Sequence, residues 1–334
     1  MRAFRIGSRG SKLALWQARH VAEQLGRLYP EHGFEIEVVH TSGDVRTDVP
    51  LSAFGDKSLF IKEIESALLS RDIDFAVHSL KDVPSALDSR FALAAILERA
   101  DPRDVLLVGS NARPSSRRPA EPPAPALVFS QVGAAARDNL AALPVGAVVG
   151  TSSLRREAQL RAARPDLRFE PIRGNVDTRL RKLEAGQYDA IVLAAAGLHR
   201  LGVHVPASGY LETSISLPAP GQAALCVEAA ADNGAAIELV ACLDHPTTRR
   251  CVEAERAFAA ALEAGCEVPL GALATASEQS ATWLHLDGMV ASTDGRTIVR
   301  VSGEGIEPGT LGRGLAERAL ARGAAALLAL AKAR

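Results

Sequence analysis

The strongest restriction on the fold is an order of segments that the sequence runs through twice. "FRIG", "SRGS" and the helical "KLALWQARHVAEQLGRL" lead to a strand "FEIEVVH", a loop, a helix "FIKEIESALLS" and a strand "IDFAVHS". From residue 146 the plan returns: "GAVVG", "TSS", the helix "LRREAQLRAA", the strand "LRFEPI", the loop "RGNVD", the helix "TRLRKLEAG" and the strand "YDAIVLAAA". Parallel neighbours need a crossover, and a helix supplies it, so each half predicts a mainly parallel sheet with helices on both faces. The likeness between the halves is architectural, with few identical residues. The expected class is α/β, with two doubly wound βα domains.

The character changes after "ISLPAPGQAALCVEAA", a strand-like return. Residues 247–264 predict an Ala-rich helix opened by Thr247 and stopped at Gly265 as its C′ residue. Strands at "TWLHLDGMV" and "TIVRVSG" are joined by the hairpin signal "TDGR", and a last helix covers roughly 310–333. This is a small α+β third domain. Two segments interrupt the pattern. Residues 41–58, "TSGDVRTDVPLSAFGDKS", are polar and read as a mobile loop or lid, and the Pro-rich stretch at 110–126 reads as a surface insertion with solvated Arg113, Arg117 and Arg118.

The formal net charge is −1, so there is no global basic field and nucleic acid is not an expected partner. No apolar run reaches the ~18–20 residues that cross a bilayer. The opening "MRAFRIGSRGSKLALWQ" puts charge and glycine where a signal peptide needs its apolar segment, and a cytoplasmic protein is expected. Four cysteines, at 226, 242, 251 and 266, form no CxxC pair, and no HExxH occurs, so no metal is expected. Cys226, Cys242 and Cys251 read as buried small hydrophobes.

Charge is unevenly placed. Ligands of doubly wound sheets bind beyond the carboxyl ends of the strands. Beyond those ends this chain places Arg9 and Ser11; Lys81 and Asp82; Thr151, Ser152, Ser153, Arg155 and Arg156; Arg173 and Arg179; and Arg200. Arg155 and Arg156 fall in the first turn of a helix, where each cation costs about 0.3–1 kcal/mol against the helix dipole. An anion among them, the backbone N–H groups and the hydroxyls reverses that cost. Seven cations in register across two half-domains predict an anion-binding cleft, and without a Walker loop or GxGxxG after a strand, a polycarboxylate fits better than a nucleotide. Asp82 reads either as a salt-bridge partner of Lys81 or as an acceptor for ligand N–H groups and a proton shuttle. Cys266 follows the helix stop, where the helix end and Glu267 raise a thiol pKa; its chemistry alone favours a structural role.

The chain also closely resembles the porphobilinogen deaminases (hydroxymethylbilane synthases). The stretches that carry the resemblance are "RIGSRGSKLALWQA", "GDKSLFIKEIESALL", "DFAVHSLKDVP", "DPRDVLL", "GTSSLRR", "RGNVDTRLRKLEAGQYDAIVLAAAGLHRLG", "ISLPAPGQAAL" and "AERAFAAALEAGCEVPLG", from residue 5 to about 271. The resemblance implies an enzyme that condenses four porphobilinogen molecules head to tail, with loss of ammonia, to hydroxymethylbilane. It implies two domains of periplasmic-binding-protein-like type around a cleft, at 1–97 with 221–241 and at 102–217 (the Pro-rich insertion at about 110–135 included), and a third at 245–334. By the same resemblance Cys266 carries a dipyrromethane cofactor through a thioether and Asp82 is catalytic. Ser79, Lys81, Asp82, Thr151, Ser152, Ser153, Arg155, Arg156, Arg173 and Gly174 hold the cofactor. Arg9, Ser11, Lys57, Phe60, Arg155, Arg173, Arg179 and Arg200 hold substrate, Lys57 and Phe60 from the lid. A monomer without metal, membrane or nucleic-acid partner is implied. The Pro-rich insertion departs from the pattern, and so does Ala223 in "PGQAAL", where glycine is expected. Two rival readings are weaker: a polyanion-binding protein, against which the expected lack of a signal peptide argues and which leaves Cys266 without a purpose, and the effector lobe of a transcriptional regulator, for which no helix-turn-helix segment precedes residue 5.

Overall fold

The computed structural model describes residues 3–40, 61–109, 139–263, 265, 268–277 and 282–332. The loop at 41–58, Lys57, Phe60, the Pro-rich insertion and Cys266 lie outside the described residues.

The first sheet contains β1 (Ala3–Ser8), β2 (Gly33–Val38), β3 (Phe75–Ser79), β4 (Phe91–Ile96) and β9 (Leu225–Ala230), in the order β2-β1-β3-β9-β4. Helix α1 (Lys12–Leu28) buries Ala18, Val21 and Leu25 on one face, and α6 (Gly234–Val240) adds Ala236, Leu239 and Val240 against Ile6, Phe75 and Val227. On the other face α2 (Lys62–Leu69) packs Ile64 and Leu68 against Ile73, Ala76 and Phe91. The second sheet contains β5 (Asp104–Val108), β6 (Val148–Gly150), β7 (Arg168–Glu170) and β8 (Ala190–Ala194), in the order β5-β8-β6-β7. Leu160 of α3 (Leu154–Ala163) covers one face; Leu183 of α4 (Val176–Glu184) and Leu198 of α5 (Ala195–Arg200) cover the other. Both units are doubly wound α/β, as expected.

The sheets are mixed rather than mainly parallel. β1 runs parallel to β2 and β3, and β6 to β7 and β8, but β9 is antiparallel to β3 and β4, and β5 to β8. In the first sheet the cause is the return of the chain from the second unit, which inserts β9 between β3 and β4 in the opposite direction.

The third unit is an antiparallel sheet of β10 (Leu270–Ala276), β11 (Leu284–Ala291) and β12 (Ile298–Gly305), packed on α7 (Pro246–Ala261) and α8 (Pro308–Ala319). A Cβ on Gly312 would lie 2.4 Å from the Ala254 carbonyl oxygen, so only glycine lets α8 approach α7 this closely. Three expectations need correction here. The N-cap of α7 is His245, whose Nδ1 accepts from Thr248 N, rather than Thr247; Pro246 at the first position suits the missing donor there. The left-handed residue at the end is Glu263 (φ 47°), two residues before Gly265. The terminal helix is broken by Gly323 (φ 103°), which separates α8 from α9 (Ala325–Lys332).

Candidate active site

The strand ends of the first two sheets assemble the site from short local structures. β3 passes into a 3-10 turn, Leu80–Asp82, which buries Leu80 and leaves the Asp82 side chain exposed. Leu80 N donates to Ala224 O (3.0 Å) and Val83 N to Leu80 O (3.1 Å), which fixes the turn at both ends. In the second sheet the "TSS" run builds the N-terminus of α3. Ser153 N donates to Thr151 Oγ1, Ser152 Oγ donates to Ile172 O, and Ser153 Oγ accepts from Arg156 N as the N-cap. These hydroxyls, like Ser11 at the N-cap of α1 and Ser79, which accepts from Gln17 Nε2 (2.9 Å), have structural bonds of their own.

Arg155 and Arg156 are buried, and the anion beside them is part of the chain. Asp104, fully buried at the start of β5, accepts from Arg155 Nη1 (2.8 Å), Ser216 Oγ (2.8 Å), Arg156 Nε (3.0 Å), Arg156 Nη2 (2.8 Å) and Gln222 Nε2 (3.0 Å). Burial pushes its carboxyl upward, and the two guanidiniums more than reverse this, holding it far below the usual carboxylate range. Arg155 also donates to Leu217 O and Arg156 to Val192 O. One carboxylate against two guanidiniums still leaves a net positive charge at the helix N-terminus. The expectation of an external anion alone offsetting the dipole cost is therefore corrected; Asp104 shares that task.

The other cations surround this core. Lys81 Nζ makes a long contact with Gln222 Oε1 (3.4 Å). Burial and the fields of Arg156 and Arg155 push the Lys81 ammonium down to about 8, against the opposing pull of Asp82 and Asp104. Arg179 is pushed down to about 10 by burial, then by Arg156 and Arg173, with Asp82 pulling the other way. Its Nε donates to the carbonyl of Gly174 (2.8 Å), whose φ of 102° turns the backbone under the guanidinium. The structure therefore brings Lys81, Asp82, Arg155, Arg156, Arg173 and Arg179 into one electrostatic group. Arg200 sits apart. Its Nη2 donates to Ala223 O (2.7 Å), its guanidinium lies 6.0 Å from the Trp16 ring, and burial pushes it down to about 10. Arg9 follows β1, one strand over from the Asp82 turn in the same sheet.

Two participants are absent from the residues that sequence reasoning singles out. Asp104 had one available signal, a charged residue heading the apolar strand in "DPRDVLL". Gln222 had none, since its role lies in joining Lys81 of the first unit to Asp104 and Pro102 O (2.7 Å) of the second. Cys226 and Cys251 are buried as expected and burial raises both thiols, whereas Cys242 is exposed because it lies in the 3-10 turn Ala241–Leu243 after α6.

Comparison with known proteins gives the site its context. A family model described as porphobilinogen deaminase, dipyromethane cofactor binding domain, matches residues 4–238, and the porphobilinogen deaminase C-terminal domain model matches residues 249–321. The chain belongs to the porphobilinogen deaminase family. Porphobilinogen deaminases similar to it include that of Chromobacterium violaceum, 47% identical over 97% of this chain and 96% of that protein. That of Xanthomonas euvesicatoria pv. vesicatoria is 48% identical over 98% and 99%. A solved structure, the periplasmic VFT2 domain of Bordetella pertussis BvgS, aligns at a TM-score of 0.39 and 14% identity over 72% of this chain and 85% of that one. As a porphobilinogen deaminase the protein is a transferase of tetrapyrrole biosynthesis with a dipyrromethane cofactor. The described residues fit the charge of such a group: Lys81 and Arg179 act on the exposed carboxylate of Asp82, and Arg156 acts on both cations. No helix of the described residues is long and apolar enough to cross a membrane, and among them no His, Cys, Asp and Glu cluster could hold a metal ion.

Proposed function

We propose that this porphobilinogen deaminase makes hydroxymethylbilane in the cleft between its first two units, with Asp82 as the catalytic group and Cys266 as the cofactor anchor. Four porphobilinogen molecules and one water give one linear tetrapyrrole and four ammonia. The observation that carries the assignment is the exposed Asp82 acting on both Lys81 and Arg179, the two cations that also feel Arg156.

Bound through the Cys266 sulfur, the dipyrromethane supplies a terminal pyrrole with a free α-carbon as nucleophile. Each added unit brings two carboxylates, which accounts for the number of cations. Lys81, Arg155, Arg156, Arg173 and Gly174, with Ser79, Thr151, Ser152 and Ser153, hold the cofactor arms. Arg9, Ser11, Arg179, Arg200, Lys57 and Phe60 hold the incoming unit. Guanidinium N–H groups donate to these carboxylates at about 1.5–3 kcal/mol per charged hydrogen bond, Arg155 and Arg156 through the N–H groups that Asp104 leaves to them. Asp82 accepts the pyrrole N–H and stabilises the positive charge that grows on the ring as ammonia leaves, a placement of charge typically worth about 10²–10³ in kcat. The same carboxylate would serve as a base for the proton released at each new junction.

The domain division that goes with this reading is 1–97 with 221–241, 102–217 and 245–334, in a cytoplasmic monomer. The test is the intact mass of the purified protein. It exceeds the sequence mass by one dipyrromethane; Cys266→Ala removes the excess and the activity together, and Asp82→Asn keeps the excess while turnover falls by about 100-fold or more. An unmodified protein with full activity contradicts the proposal.

A further inference from the structure

Arg256 is spent in an unusual way. It lies on α7, the helix that leads towards Cys266, and its guanidinium reaches out of the third unit to the chain directly after Asp82. Arg256 Nη1 donates to Val83 O (3.2 Å), and Nη2 donates to Pro84 O (2.6 Å) and Ser85 O (3.2 Å). Among the described residues it makes no ion pair. Burial lowers its pKa, and Glu228, the carboxylate that pulls it back, is not hydrogen-bonded to it. A partly buried cation without a carboxylate carries a desolvation cost, and helix packing alone would be served by an apolar side chain. What a guanidinium offers instead is a rigid fork that holds three successive carbonyls at once.

We infer that Arg256 is a positioning residue for catalysis, setting the place of the Asp82 turn relative to the helix that precedes Cys266 in the sequence. Behind Asp82 the turn is tied to the first sheet through Leu80 N and Ala224 O; ahead of it, Arg256 supplies hydrogen bonds to the third unit, beside the packing of Val252 with Leu80 and Val83. Lys81 shares the Asp82 turn, but the arginines sit on other segments, so loosening this tie moves the carboxylate relative to the reacting ring and leaves the carboxylate-binding arginines in place. The signature is a fall in kcat with KM nearly constant, because displacement of a reacting group by about 1 Å can cost about 100-fold in rate.

This inference rests on the assignment of Asp82 and Cys266 above, and the experiment separates the two. Arg256→Gln is compared with Arg249→Gln, a control one heptad earlier on the same helix, whose guanidinium bonds Asp244 and Leu93 O away from the Asp82 turn. Turnover is normalised to the cofactor-loaded fraction from the intact mass. Amide hydrogen exchange across residues 80–90 is measured in a Cys266→Ala background, where no cofactor contributes. The expected result is a kcat at least about tenfold lower for Arg256→Gln than for the control, KM within about threefold, and faster exchange at 80–90 in Arg256→Gln alone. Equal kcat and equal exchange in the two variants overturns the inference, as does a loss confined to KM. Should Arg256→Gln yield no folded protein, Arg256→Lys, which keeps the charge but has no fork, decides between the same outcomes. If Cys266→Ala retains the added mass, the cofactor assignment fails instead, and the exchange comparison still reports on the tie.

Discussion

Ala223 holds a φ of 74°, a left-handed conformation that costs an L-residue about 1–2 kcal/mol. Glycine would relieve that strain and lose about 0.5–1 kcal/mol through its freer unfolded chain. Relief exceeds loss, so Ala223→Gly is expected to stabilise the protein by about 0.5–1 kcal/mol, seen as a rise of one or two degrees in Tm. The contacts that hold the position use its carbonyl, from Arg200 Nη2 and Ala100 N, and survive the change. The departure was visible in "PGQAAL"; its backbone cost was not, because φ is not written in composition. Lys81 gives a second expectation at this scale. Its pKa near 8 lies below the ordinary lysine value of about 10.4, so the empty folded state gains stability relative to the unfolded chain as pH rises between those values. Carboxylates restore the proton, so binding takes up protons in that window. Because Lys81 is assigned to the cofactor arms, loading of the cofactor-free protein, read from intact mass, is expected to weaken above about pH 8, and Lys81→Gln, which loads less throughout, should abolish that pH dependence.

Among elements, α3 shows where reading from sequence stops. Strand, turn and helix were all legible in "GAVVGTSSLRREAQL", since apolar runs, hydroxyl caps and helical spacing are local signals. The partner of its two arginines was not, because Asp104 comes 51 and 52 residues earlier and nothing local links them. Asp104→Ala leaves two buried guanidiniums opposite each other and should destabilise by about 3–5 kcal/mol in urea titration, with the loss spread over the second unit. β10 was missed for a different reason. "LGALATA" is built from small residues without apolar–polar alternation, and it becomes a strand through its register with β11, Leu270 opposite Val290 to Ala276 opposite Leu284.

Across the whole molecule, Glu255 is the junction. Fully buried on α7, it accepts from Arg99 Nη1 (2.6 Å) and Nη2 (2.7 Å), from Gly221 N (2.7 Å) and from Ala274 N (2.8 Å), which joins the crossover between the first two units to the third sheet. Glu255→Gln removes the charge and misplaces one oxygen, so the third unit should unfold ahead of the first. The chain's two tryptophans report on this separately, Trp16 in α1 and Trp283 beside β11. Single-tryptophan versions should unfold together in denaturant when Glu255 is present and at different midpoints in Glu255→Gln. The three-part plan was legible in the sequence. The mixed sheets were not, because pattern fixes what a strand buries but not the direction from which a distant strand arrives.

That arrival has a consequence for the making of the protein. β9 is buried along its whole length and separates β3 from β4, yet it is encoded after the entire second unit. A chain emerging from the ribosome therefore exposes two unmated strand edges until residue 230 has cleared the exit tunnel. Fragments that end before Leu225 should need a chaperone or aggregate, and the second unit should be the first to resist protease during synthesis.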